Sequence, residues 1–381
     1  MSSSLTENRP SSAGTDPNRV ASIFSSFQPG RLAKEWNRNH RHHGGILPLL
    51  RCLAGDQRLR RVGLNRHSKP NPTDVETVTF SVVPKMTLLW SVLMQEAMPH
   101  SAQTLIGDCS GGFPGDLNLP GVRVFPLLNH PHGIKLDLFI QRICCAPYVV
   151  VTDDDVFWMS EKPLRWALAE FEADERVAVV SLMPRDTASS VLEGKVPQPM
   201  GSFCLVIRRD LWIKEGLSFR IVQPPASEGY GWFYDTADFA NVELLKRGYR
   251  VVIAPPELRR ELCCLEAIST WTLKIQQRHG DLRRSIGDVE LRRAKALRAI
   301  LTLKGLDRIL KTFLPEIGAG EIVKGPYLDR AQAFCLGGMA PGDISSVQTQ
   351  VEDILQRVSD RLQMIRATKP TLPVSSRTPG C

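Results

Sequence analysis

Three consecutive aspartates, Asp153, Asp154 and Asp155, follow directly on the apolar run Tyr148–Thr152 (YVVVT). A β-branched run of this kind reads as a strand covered on both faces. Carboxylates crowded at the carboxyl end of a strand repel one another unless something positive sits among them. In open α/β sheets that end of the strands is also where ligands bind. Hard divalent cations take oxygen ligands, typically one or two carboxylates, with the rest of the shell from water and substrate phosphates. If the chain stays extended, Asp153 and Asp155 point to one side and Asp154 to the other. The plainer reading is an acidic turn in which one aspartate caps the next helix.

A second acidic pair, Asp235 and Asp238, follows the aromatic run Tyr230, Trp232, Phe233 and Tyr234. A carboxylate there can accept a proton from a hydroxyl. The aromatic faces suit sugar rings. The competing reading makes the acids charges at a helix start, favoured by the helix dipole, and some of the aromatics core. Residues 224–232 (PPASEGYGW) read as a loop, either over a site or plain surface. Lys135 is placed to contact a phosphate or to be a solvated lysine at a helix start. His40, His42 and His43 have no carboxylate or cysteine beside them, so a solvated basic loop is favoured over a metal site.

Val78–Val83 ends at Pro84 and reads as a strand, followed by a helix over Met86–Met98. Gln103–Gly107, Val122–Phe125, Tyr148–Thr152 and Val177–Leu182 read as strands, with helices over Ile134–Cys145 and Lys162–Ala173 between them. Cys204–Arg208 and Tyr249–Ile253 are further strands, separated by a helix over Phe239–Arg247. Strands alternating with helices argue for an α/β layer with a largely parallel sheet. From Glu261 onward the chain reads as mostly helical.

The chain has 381 residues, 43% apolar and 23% charged, with a net charge of +8. Those values exclude a wholly disordered chain, and 28 Gly and 27 Pro without a three-residue period exclude collagen. No run approaches the ~18 apolar residues of a membrane span. The positive charge permits an anionic partner and selects none. The nine cysteines show no CxxC spacing, so the sequence predicts free thiols, a reducing compartment and a cytoplasmic location. No secretion signal is evident. The expected organisation is a disordered tail at 1–19, a basic extension of unknown structure at 20–75, a catalytic domain at 76–260, a helical region at 261–366 and a disordered tail at 367–381.

In order along the chain stand Val78–Val83 with Pro84, IGDCSGG at Ile106–Gly112, GVRVF at Gly121–Phe125, YVVVTDDD at Tyr148–Asp155, GSFCLVIRRDLW at Gly201–Trp212 and YDTADFANVELLKRGYRVVIAP at Tyr234–Pro255. This series resembles the family 2 glycosyltransferases of the GT-A fold, over roughly residues 76–258. The resemblance implies a mostly parallel central sheet flanked by helices, here with a helical C-terminal extension. It implies transfer of a sugar from a nucleotide-diphosphate donor to an acceptor hydroxyl, inverting by direct displacement. In that pattern Pro84, Asp108, Lys135, Asp153 and Asp154 contact the donor. Asp153 and Asp155 hold Mn2+ or Mg2+, Asp235 or Asp238 is the base, and Gly201, Trp232 and Tyr234 face the acceptor. The acceptor would be a saccharide, a lipid-linked molecule or another hydroxyl compound.

Val289–Phe313 has apolar residues at helical spacing with seven basic residues between them. Such a helix can lie peripherally on an anionic membrane. Packing of its apolar face onto the catalytic domain is favoured. A nucleotidyltransferase of related fold would carry a Gly-rich phosphate loop after the first strand, and PKMTLLW is not one. A non-catalytic scaffold would have lost the acidic groups, which are present. No nucleic-acid-binding motif is seen, and no nucleic-acid partner is expected.

Overall fold

The computed structural model describes residues 46–63, 74–98, 102–113, 119–185, 192, 195–197, 199–223, 234–287, 289–315 and 320–368. The two terminal tails, the histidine cluster at 40–43, the loop 224–232 and Trp232 lie outside the described residues.

Seven strands form one sheet in the order β3-β2-β1-β4-β7-β6-β8. They are β1 Val75–Ser81, β2 Gln103–Asp108, β3 Val122–Pro126, β4 Tyr148–Thr152, β6 Val177–Ser181, β7 Cys204–Arg208 and β8 Arg250–Ile253. Only β7 runs antiparallel, to β4 and β6; the other pairings are parallel. β1, β4 and β6 are buried along almost their whole length, as expected of strands covered on both faces. The architecture the sequence implied, a mostly parallel central sheet between helices with a helical C-terminal region, is the one found.

Pro84 does not end a strand. β1 stops at Ser81, and Pro84 opens helix α2 (Pro84–Ala97), where its missing N–H costs nothing. The helix expected from Ile134 starts at His132 (α3, His132–Arg142). Helices α4 (Lys162–Ala173), α5 (Arg209–Lys214) and α6 (Asp238–Lys246) complete the flanks. Two three-residue strands escaped the sequence reading. β5 (Val156–Trp158) pairs antiparallel with β9 (Leu262–Cys264), and this ties the end of β4 to the start of the C-terminal region.

One apolar cluster fills the α2 and α4 side of the sheet, and a second fills the α3, α5 and α6 side. The first runs on past the short helix α7 (Pro256–Arg259) into the C-terminal helices α8 (Ile268–Gln277), α9 (Arg283–Ile286), α10 (Glu290–Phe313), α11 (Gly325–Leu336) and α12 (Pro341–Thr368). Leu297, Ile300, Leu303, Leu306 and Leu310 of α10 are all buried there. The apolar face that a bilayer would need is therefore the face that packs. Among the described residues no helix is long and apolar enough to cross a membrane.

The N-terminal extension contributes α1 (Ile46–Arg61), which packs against the end of β3 and the loop after it. Its Arg51 Nη1 donates to the Phe113 carbonyl at 3.1 Å. Its buried Asp56 accepts from Arg60 at 2.8 Å and pairs with His130 at 2.7 Å. Burial alone would raise the Asp56 pKa, but those two partners hold it below the usual carboxylate value. α1 therefore braces the segment that leads into α3. Gly55 makes this possible, because a Cβ there would sit 1.9 Å from the Pro126 carbonyl oxygen. Backbone lies on both sides of that contact, so Gly55→Ala is expected to cost on the order of 2 kcal/mol or more. A thermal melt reads this directly, and an unchanged melt would show that α1 can shift freely.

Candidate functional site

A cavity of about 510 Å³ opens at the carboxyl ends of β1 and β4. These two strands are the point where the strand order turns back, β3-β2-β1 on one side and β4 onward on the other. In doubly wound sheets that crevice is the natural ligand site. Phe80 and Val82 line it from the end of β1, Asn129, His132 and Lys135 from the start of α3, and all three aspartates from the end of β4. The C-terminal region closes the far wall with Cys264, Glu266, Ser269, Trp271 and Lys295.

The three aspartates do not alternate as in an extended strand, because β4 ends at Thr152 and the chain turns at Asp154 and Asp155. Each has a different fate. Asp154 Oδ2 meets the Thr87 hydroxyl of α2 at 2.6 Å, and its Oδ1 accepts from the Ser269 hydroxyl of α8 at 3.2 Å. Asp155 Oδ2 accepts the Ile268 N–H at 3.1 Å, at the start of α8. It thus meets the buried N-terminus of that helix, where a carboxylate is favoured. The turn that presents this N–H is strained. Glu266 and Ala267 both adopt left-handed backbone, with φ of 56° and 58°. Arg298 secures it by donating to Glu266 at 2.8 Å. Asp153 is the aspartate left over. Its side chain is 39% exposed, and its Oδ1 lies 3.7 Å from His132 Nε2, too far for a hydrogen bond.

Lys135 is buried, donates to Asn129 Oδ1 at 3.0 Å and lies 4.7 Å from the Phe80 ring centre. His132 stands edge-on to the same ring, with centroids 5.8 Å apart. Its Nε2 is buried without a hydrogen-bond partner among the described residues. Burial, reinforced by the Lys135 charge, pushes the His132 pKa down to about 3, so the ring is neutral. Two contacts fix this end of α3. Asp137 accepts from the Ser218 hydroxyl at 2.6 Å and the Phe219 N–H at 2.9 Å. A Cβ on Gly133 would come within 2.1 Å of the Phe219 carbonyl oxygen.

Burial raises the pKa of all three aspartates. Lys135 opposes this at Asp153, whereas the charge of Asp153 adds to it at Asp155. Asp154, enclosed and beside the Asp155 charge, is pushed up to about 8. A carboxyl whose folded pKa is raised costs stability as pH climbs. Below about 3.8 both folded and unfolded chains hold the proton. Between there and about 8 only the unfolded chain loses it, so the folded state is progressively disfavoured. In chelator-treated protein, Asp154→Asn is expected to raise the melting temperature at pH 8 by several degrees and to leave it nearly unchanged at pH 4.5. Equal melting curves for the two proteins at both pH values would contradict this.

Asp235 and Asp238 lie outside the cavity lining. Asp238 is buried, its Oδ1 is paired with the Arg185 guanidinium, and its Oδ2 accepts the Asp235 N–H at 3.1 Å. Burial raises its pKa and Arg185 opposes the rise. The Asp235 carboxylate is exposed and accepts only from the neighbouring Thr236 N–H, at 2.7 Å, among the described residues. Its charge reaches His132 and acts to raise that pKa.

The remaining residues singled out by sequence stand back from the cavity. The Asp108 carboxylate is fully buried and turned into its own loop, accepting from the N–H groups of Ser110, Gly111 and Phe113 and from the Ser110 hydroxyl. Pro84 begins α2. Gly201 is buried, donates to Ser181 Oγ at 3.1 Å and sits where a Cβ would meet the Met183 carbonyl oxygen at 2.0 Å. Tyr234 is buried, with its hydroxyl 2.8 Å from Lys195 Nζ. Of the groups expected to contact a donor or a metal, Lys135 and the three aspartates share the cavity. Sequence reasoning passed over His132, Asn129, Phe80, Trp271 and Lys295. The Asn-His-Pro-His-Gly stretch just before Lys135 was the available signal for the first two.

Among the described residues no three His, Cys, Asp or Glu side chains are gathered at metal-ligand spacing. The donor set still fits a divalent cation of the kind completed by water and phosphate oxygens, because among the described residues Asp153 has no hydrogen-bond donor and buried His132 Nε2 faces it unpartnered.

No protein-family model matches the chain, and no curated protein matches it. Several solved structures resemble it in chain arrangement. Residues 1–349 of S. aureus TarS match with a TM-score of 0.32 at 12% identity, over 70% of this chain and 92% of that one. Glucosyl-3-phosphoglycerate synthase from Mycobacterium tuberculosis, solved with Mn2+, UDP-glucose and phosphoglyceric acid, matches with a TM-score of 0.31 at 13% identity, over 52% and 79%. The galactosyltransferase LgtC, solved with donor and acceptor sugar analogs, matches with a TM-score of 0.30 at 11% identity, over 48% and 73%. Likenesses of this size lend no residue role to this chain.

Proposed function

We propose that the protein is a glycosyltransferase that takes a sugar from a nucleotide-diphosphate donor and passes it to an acceptor hydroxyl. The observation that carries this reading is the cavity at the β1–β4 crevice, where a buried lysine and an aspartate cluster face one another across a space large enough for a ligand. A diphosphate complements both. Lys135 bonds phosphate oxygens, and its neighbours Asn129 and Phe80 hold it in place. Asp153, with Asp155 behind it, would hold Mn2+ or Mg2+. That cation would neutralise the diphosphate and make it a better leaving group. Trp271 offers an aromatic wall for a base or a sugar ring.

Asp235 is the general base in this reading. A base needs a free lone pair within reach of the acceptor proton. Asp238 has given both oxygens away, to Arg185 and to the Asp235 N–H, and acts as the post that holds Asp235. Attack from the side opposite the diphosphate gives inversion at the anomeric carbon.

Calorimetric titration with UDP-, GDP- and dTDP-sugars, with and without Mn2+, tests the reading. One donor should bind micromolar or tighter and at least tenfold more weakly without the cation. Absence of binding by every donor to a folded protein would sink it. Preferred binding of free nucleoside triphosphates would favour nucleotidyl transfer instead.

A further inference from the structure

His132 Nε2 and the Asp153 carboxylate face each other in the cavity, and neither has a hydrogen-bond partner among the described residues. His132 Nε2 has no hydrogen bond although it is buried. A buried nitrogen in that state carries an uncompensated desolvation penalty. Across from it the Asp153 carboxylate accepts no hydrogen bond among the described residues, although it too sits in the cavity. Their separation of 3.7 Å is too long for a hydrogen bond between them. It is close to the spacing of two donors of one ion, since adjacent ligands about 2.1 Å from an octahedral cation stand about 3.0 Å apart and the pair need close by less than ~1 Å.

The imidazole is also held as a ligand would be. Its ring stands edge-on to Phe80. The backbone one residue on is pressed against Phe219, where only a glycine fits. A group fixed this firmly yet left unsatisfied has the form of a prearranged donor.

We propose that His132 Nε2 is a direct ligand of the divalent cation and that it bridges to Asp153 across the mouth of the cavity. The inference rests on the proposed diphosphate–cation reading and deepens it. The cation is held from two elements, the end of β4 and the start of α3, with water and diphosphate oxygens completing the shell. A nitrogen donor also sets a preference. The site ranks Mn2+ and Co2+ above Mg2+, which takes oxygen ligands almost without exception. Lys135, one helical turn along α3, then lies next to the same diphosphate, so one short helix start would present both the cation and a cationic side chain to it.

Pulsed electron paramagnetic resonance of Mn2+ bound to the full chain tests this, with and without inorganic pyrophosphate as the diphosphate probe. The expected result is nitrogen modulation of the Mn2+ echo that changes when the protein is grown with ¹⁵N-histidine. It should vanish in His132→Gln, with Mn2+ affinity down about tenfold to a hundredfold. The labelling arm uses unmodified protein, so it stands even if the variant folds poorly. Mn2+ that binds and is lost in Asp153→Asn, but carries no nitrogen modulation in the unmodified protein, would overturn the role of His132 and leave the cation reading intact. Absence of Mn2+ binding with or without pyrophosphate would overturn both.

Discussion

Asp235→Asn should lower kcat by about 10²–10⁴-fold, with the KM for the donor nearly unchanged and the melting temperature within a degree of the parent. The range is what a positioned general base typically contributes. The stability expectation follows from the position of the side chain, which is exposed and whose single contact among the described residues, with the Thr236 N–H, an asparagine oxygen can keep. Asp238→Asn should behave in the opposite way. It removes the charged partner of a part-buried guanidinium, a destabilising change smaller than the loss of a fully buried pair because burial already raises the Asp238 pKa. It also loosens the hydrogen bond that places the Asp235 backbone. The expected outcome is a clearly lower melt together with a smaller fall in kcat. Steady-state kinetics and melting curves on both variants separate the two. A dead Asp238→Asn with an unchanged melt, beside an active Asp235→Asn, would exchange their roles.

The second large effect is at the aspartate cluster. Asp153→Asn is expected to weaken Mn2+ binding about a hundredfold, equivalent to about 2.7 kcal/mol, and to leave donor binding indifferent to the cation. Its carboxylate supports nothing else among the described residues, so the fold should not suffer. Asp155→Asn should give a mixed result. Cation affinity falls, and the melt falls too, because Asp155 accepts the first N–H of α8 and steadies the strained Glu266–Ala267 turn. Asp154→Asn gains stability at high pH. Three neighbouring carboxylates should therefore give three different signatures in one set of calorimetric and melting experiments. Identical behaviour of Asp153→Asn and Asp155→Asn would contradict the division of labour.

These distinctions show where the sequence is informative. β4 and the aspartates after it were legible, because an apolar β-branched run ending in charge is a local signal that packing reinforces. Helices such as Lys162–Ala173 were legible for the same reason. α1 was not. Its buried side is short, and its close seat depends on Gly55 meeting Pro126, a contact 71 positions away that no periodicity announces. The β5–β9 pair was hidden because three residues carry no pattern of their own. Asp108 illustrates a different limit. An aspartate before Ser-Gly-Gly can face a ligand or fold back on its own loop, and residue type does not choose between them; here four donors of that loop decide it. Tyr234 is likewise drawn inward toward Lys195, 39 residues earlier. His132 was missed because what makes it notable is the lack of a partner, and only the fold can show that.

Sugar transfer is tested most directly by release of free nucleoside diphosphate from nucleotide sugars by the purified protein with Mn2+, followed over hours with and without simple sugar acceptors. Release is expected from one donor class, slow with water alone and faster with an acceptor hydroxyl, and abolished in Asp153→Asn. A folded protein that binds Mn2+ and diphosphate yet releases nothing from any nucleotide sugar would contradict it.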